Sequence, residues 1–246
     1  MSQNNAPSRE VAQRAFATEI NAATHTFRES DDDRAPVYGL LPTGAKANRV
    51  FVVGTLTETQ DVGSDDEYWQ GRIVDPTGTV FVYAGQYQPE AASMLREIET
   101  PAFVAIVGKP RTFETDDGDT NVSLRPEHLI TVTEGTRHRW VTETAQRTLD
   151  RIEQFDETTN EYAQLARNQY GDDIGPYRQA VITALESLPE PADATSNTHT
   201  EDSSSGSPTT DTSEETDSVT REGETQTQPD DDLGGFSPDE FTTGDQ

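Results

Sequence analysis

With 246 residues, the chain has room for one full domain plus extensions, or for two small domains. Its formal net charge of -28 argues at first sight against a polyanionic partner. The absence of cysteine excludes disulfides, thiolate zinc sites and thiol nucleophiles, and His25, His128, His138 and His199 stand without metal-ligand spacing, so no metal or cofactor is expected.

In chain order, the opening MSQNNAPSRE lacks the basic and apolar regions of a signal peptide. No apolar run approaches the roughly 20 residues that span a bilayer, so a soluble, intracellular protein without membrane contact is expected. Ser8 is a candidate N-cap, and Ala12, Phe16, Ile20, Ala23 and Phe27 recur at helical spacing. That stripe predicts a helix ending near Ser30, before the linker Asp31-Asp32-Asp33. Five strand-like runs follow: Arg49 to Thr59, YWQGRIV, TVFVYA, Ala102 to Phe113 and Asn121 to Thr133. The fourth is nearly continuous in apolar residues, as in a strand buried on both sides. Pro126 predicts a bend or an edge in the fifth. Between the third and fourth runs, QPEAASMLREIE predicts a helix with Pro89 in its first turn and Ala91, Leu95 and Ile98 on one face.

Three strands, a helix and two strands are the order of the OB-fold, a five-stranded barrel whose usual cargo is single-stranded nucleic acid or oligosaccharide. The predicted fold class is thus mainly β: a barrel over 36–134, an N-terminal helix and linker over 1–35, and helices over 135–190. The stripes of those last helices are Val141, Ala145, Leu149 and Ile152, then Tyr162, Leu165 and Tyr170, then Tyr177, Val181, Ala184 and Leu188. Three stripes exceed what one small barrel covers, so Val141, Leu149, Ile152, Tyr177, Val181 and Leu188 are candidates for contact with another chain. Residues 191–246 are Ser, Thr, Asp, Glu, Gly and Pro with little to bury, which predicts a disordered acidic tail.

The acidity is not confined to that tail. Residues 191–246 hold 15 carboxylates and one cation, Arg221, while residues 1–190 hold 31 carboxylates and 17 cations, a net of -14 in each part. With two lysines against sixteen arginines, the composition is similar in style to that of salt-loving archaea. At molar salt the Debye length is about 3 Å, and surface carboxylates then repel a polyanion far less. Net charge therefore reports habitat more than partner.

The stretch GRIVDPTGTVFVYAG predicts a hairpin turning at Asp75 to Gly78, pairing Val74 with Thr79, Arg72 with Phe81 and Gln70 with Tyr83. The other face pairs Ile73 with Val80 and Gly71 with Val82, with Trp69 alongside. That face is mostly aliphatic and belongs inside the barrel. The outer set, joined by Phe51 from the first strand, has the chemistry of a base-stacking platform, and Lys109 and Arg111 are the cations placed with it. Two readings stay open: a working platform, or a surface covered by the terminal helices. The loops ETQDVGSDDE and ETDDGDT, which would close over a ligand, contain no lysine or arginine.

The segment from VYGLLPTGAKANRVFVVGTL through VDPTGTVFVYAGQYQPEAA, followed by PAFVAIVGKPRTF and NVSLRPEHLITV, resembles the haloarchaeal proteins associated with replication protein A (RPA). The resemblance covers roughly Ser8 to Leu188. It implies an OB-fold, membership of a single-stranded-DNA-binding complex with an RPA subunit as partner, a role in DNA replication and repair, and a cytoplasmic, nucleoid-associated location. Two roles remain open: an accessory subunit with a weak DNA face, and a purely architectural one. No nucleophile beside a base, phosphate-cradling glycine loop or metal cluster is visible, so no enzyme is expected. In the tail, Leu233, Phe236 and Phe241 fall within nine positions, which suits a partner-recruiting tip, a mask over the barrel's cations, or a solvating tail.

Overall fold

In a computed structural model, which describes residues 10–32 and 34–190, the five strand-like runs close into a barrel. The elements in chain order are β1 (Gln13–Arg14), α1 (Ala17–Ala22), β2 (Thr26–Arg28), β3 (Val37–Leu41), β4 (Ala45–Ala47), β5 (Val50–Asp61), β6 (Trp69–Asp75), β7 (Gly78–Ala84), α2 (Pro89–Glu97), β8 (Ala102–Glu114), β9 (Thr120–Thr131), α3 (Glu134–Glu153), α4 (Glu161–Tyr170) and α5 (Gly175–Glu186). Neighbouring strands run β5-β6-β7-β9-β8, and β8 pairs back onto β5 to close the ring. With α2 between the third and fourth barrel strands, this is the OB-fold.

Alternation along each strand fills the barrel. Val50, Val52 and Leu56 meet Ile73, Val80, Val82, Val104, Ile106 and Leu124 inside, and α2 packs Leu95 against them. Gly71 makes room for that helix, because a Cβ there would lie 2.8 Å from Leu95 Cδ2. The middle of β8 is apolar on both faces for a simple reason: Val104 and Ile106 face the barrel, while Ala105 faces the helices outside.

The N-terminal stripe does not form one helix. Only Ala17–Ala22 is helical, between β1, which runs parallel to β5, and β2, which pairs with β3. Tertiary anchoring overrides the periodicity here: Asp75 accepts the Ala17 N–H at 2.7 Å, and Thr18 bonds Thr77. Thr24, His25 and Thr26 then continue without the helix propensity to resist pairing with β3. A small sheet, β2-β3-β4, follows around the turn Pro42-Thr43-Gly44. Gly44 has φ 87°, and a Cβ would fall 2.7 Å from Ala163 Cα, so α4 sits directly on this turn.

The C-terminal helices turn most of their stripes inward, onto the barrel and the small sheet. Val141, Ala145, Val181 and Ala184 bury against Phe16, Val53 and Ala105, with Leu149 and Leu188 packed at the margin. Ile152 is also buried, and Tyr177 is half-buried. Burial, with Glu19 nearby, pushes the Tyr177 phenol up to about 12. The small sheet supplies the extra area that the count of stripes lacked: Leu40, Phe155, Ala163 and Ala166 form a separate cluster with Phe27, Tyr162 and Tyr170. One buried ion pair ties the two ends together. Glu19, 1% exposed, meets Arg151 at 2.6 Å, and Thr43 donates to Glu19 while accepting from Arg151 Nε at 2.7 Å.

Leu233, Phe236 and Phe241, and the acidic tail that carries them, lie outside the described residues.

Candidate nucleic-acid interface

The β6–β7 hairpin is built on its turn. Asp75 Oδ1 accepts from the Thr77 N–H at 2.7 Å, the Thr77 hydroxyl at 2.8 Å and the Gly78 N–H at 3.0 Å. The resulting register pairs Gln70 with Tyr83, Arg72 with Phe81 and Val74 with Thr79, leaving Ile73, Val80 and Val82 inside. Every pairing read from the sequence is present.

The outer face of this hairpin is open. Phe81 is 37% exposed, and Arg72 beside it is exposed, with Nη1 3.4 Å from Thr57 Oγ1. Tyr83 is half-buried, and the ring over it is that of Tyr68, stacked with centroids 5.7 Å apart and planes 18° from parallel. Gln70 donates to the Tyr83 hydroxyl at 2.6 Å. Gly85 gives Tyr68 its seat, since a Cβ there would lie 2.8 Å from Tyr68 Cδ2. Burial pushes the Tyr68 phenol up, whereas Arg125 nearby pulls it down. Tyr68 is the residue that sequence reasoning missed, although strand parity places it with Gln70 and Arg72.

Phe51 points outward but does not join this platform. It packs edge-on to Trp140 of α3, with centroids 5.0 Å apart, under the Arg14 guanidinium at 4.3 Å. The cause is β1, which sets Arg14 beside Phe51, and α3, which docks over both. The platform therefore loses Phe51 and gains Tyr68.

Strand order brings the cations alongside. β7 runs parallel to β9 with Val82 opposite Leu124, and β9 pairs Arg125 with Lys109 and Ser123 with Arg111. Two outward rows therefore cross the strands: Arg72, Phe81, Ser123, Arg111, and Gln70, Tyr83, Arg125, Lys109. Six of the seven predicted nucleic-acid residues thus share one face, together with Arg125. Lys109 is half-buried, and burial lowers its ammonium below the ordinary lysine value; Glu127 opposes this, while Arg125, Arg49 and Arg111 reinforce it.

The flanking loops are acidic, and one is tightly organised. Asp61 accepts the Gly63 and Tyr68 N–H groups, each at 3.0 Å, and these bonds hold its carboxyl below the usual range. Glu67 takes up Arg96 of α2 at 2.9 Å.

No protein-family model matches the sequence, and no curated protein matches it. Similarity appears among solved structures. The OBody AM2EP06, bound to hen egg-white lysozyme, is 19% identical over 35% of this chain and 80% of its own, with a TM-score of 0.30. The second single-stranded DNA binding protein of Mycobacterium smegmatis, SSBb, is 18% identical over 35% of this chain and 86% of its own, with a TM-score of 0.30. Rim1, a mitochondrial single-stranded DNA binding protein of S. cerevisiae, is 20% identical over 35% of this chain and 94% of its own, with a TM-score of 0.28. The OB-fold assignment of this chain rests on its own strand order and on the position of α2.

Proposed function

We propose that this chain binds single-stranded nucleic acid by stacking bases on the outer face of β6, β7, β9 and β8. We further propose that it acts as an accessory subunit of an RPA complex in DNA replication and repair, in the cytoplasm on the nucleoid. The observation that carries the first statement is the aromatic set of exposed Phe81 and half-buried Tyr83 and Tyr68, flanked in two rows by Arg72, Arg125, Lys109 and Arg111. Stacking contributes about 1–3 kcal/mol per base and tolerates any sequence. It also persists in salt that abolishes counterion-release affinity, which suits a chain of this charge. The resemblance of Ser8 to Leu188 to RPA-associated proteins supports the second statement. In this reading residues 1–35 are an arm, 36–134 the binding barrel, 135–190 a helical buttress, and 191–246 a tail whose Leu233, Phe236 and Phe241 contact a partner.

A purely architectural role is the second reading, and the acidic loops on either side of the face favour it. The two separate on one measurement. At molar KCl the purified chain should show quenched intrinsic fluorescence on titration with oligo-dT, and Phe81→Ala with Tyr83→Ala should weaken binding by about 1–3 kcal/mol for each stacked base lost. An unchanged spectrum would leave the architectural role standing.

A further inference from the structure

The last strand contains an irregularity with chemical content. β8 and β9 pair Val107 with His128 and then Gly108 with Pro126, so Glu127 is an extra residue on the β9 side of the ladder. Pro126 has no N–H to continue the ladder, and Gly108 has no Cβ to obstruct it; a Cβ there would lie 2.9 Å from the Arg125 carbonyl oxygen. Such bulges re-aim a side chain, and here the side chain is a carboxylate.

Glu127 is directed into cations. It bonds Arg49 Nε, its other oxygen lies 3.8 Å from Lys109 Nζ, and its side chain is only 18% exposed. Arg49 is itself 13% exposed and is oriented by Asn48 Oδ1 at 2.9 Å from Nη1. Arg125, Arg49 and Arg111 also act on Lys109 electrostatically, so the two cations that meet this carboxylate have two more beside Lys109. Lys109 and Arg125 are the end of the row that begins with Gln70 and Tyr83. Two carboxylate oxygens spread between cations match the two non-bridging oxygens of a phosphodiester, which Arg and Lys bind in the same manner.

We propose that Arg49, Lys109, Arg111 and Arg125 bind a backbone phosphate of the strand stacked on Tyr83, and that Glu127 is a built-in competitor for that phosphate. The inference rests on the nucleic-acid reading above and adds to it a phosphate site and the residue that limits its affinity. Without ligand, Glu127 keeps the cations oriented and offsets the repulsion among them. With ligand, the phosphate replaces it, and the strand leaves more readily because the carboxylate can return.

Glu127→Gln in the full chain tests this, because it keeps the shape and removes the charge. Two probes are used across a KCl series: labelled oligo-dT, and inorganic polyphosphate, which has no bases. The variant should bind both several-fold more tightly, and the slope of log affinity for oligo-dT against log salt should steepen by about 0.7 for each further phosphate neutralised. Equal or weaker binding of polyphosphate by a folded variant would overturn the proposal. A gain cannot arise from unfolding. Should Glu127→Gln fail to fold, Arg125→Gln decides: lost polyphosphate binding at an unchanged melting temperature supports the site, and unchanged binding removes it. The stacking reading fails separately, when alanine at Phe81 and Tyr83 leaves oligo-dT binding intact while polyphosphate still responds to Glu127→Gln.

Discussion

Asp75 commits both carboxylate oxygens to the backbone: Oδ1 organises the hairpin turn, and Oδ2 receives the Ala17 N–H of α1. Burial pushes its carboxyl up while these donors pull it down. In Asp75→Asn the turn can keep its acceptor, but an amide would face the Ala17 N–H, donor against donor. A loss of about 1–3 kcal/mol is expected, read from urea unfolding at a fixed 2 M KCl, with the hairpin register retained. An unchanged midpoint would show that α1 does not depend on this contact. At this scale strand parity made much of the site legible. It assigns Gln70, Arg72, Phe81 and Tyr83 to one face, and applied two residues before Gln70 it reaches Tyr68. Parity also puts Phe51 outward, and correctly so. What it cannot report is that α3, some 90 residues later, covers that ring.

Among elements, the long runs were readable and the short ones were not. β5, β8 and β9 have 12 or 13 residues each and leave a clear apolar pattern. The strands β2, β3 and β4 have three to five residues, too few for a period, although Pro42-Thr43-Gly44 between two apolar runs is a turn signal. The stripe from Ala12 to Phe27 misled because positions four apart fit a helix only while the backbone stays helical, and hydrogen bonds to the hairpin and to β3 end that. Pro126 announced a break in β9, but its form depends on Gly108 across the ladder. For Gly108→Ala, the new methyl would meet backbone at 2.9 Å, so the bulge must shift. A cost of about 1–3 kcal/mol is expected, together with weaker oligo-dT binding as Glu127 and Lys109 lose register. Wild-type values in thermal melts and titrations would show that β9 moves aside freely.

For the whole molecule, the net of -14 over residues 1–190 has the largest consequence. Self-repulsion at low salt opposes the compact state, and screening relieves it. The melting temperature followed by circular dichroism should rise markedly from 0.1 M to 2 M KCl, and a flat profile would remove the link between composition and habitat. The helices illustrate the limit of counting stripes: their number was right, but the surface available to them included a second sheet and the outer sides of β5 and β8. The Glu19–Arg151 pair carries a different lesson, about portability. Those two residues are 132 positions apart, and they meet where the arm, the β3–β4 turn and α3 come together. A barrel trimmed at Thr133 would leave Glu19 without its cation and would bare Phe16, Val53 and Ala105. This OB-fold is therefore not a cassette that can be lifted out and grafted onto another chain. Its ends are part of its foundations.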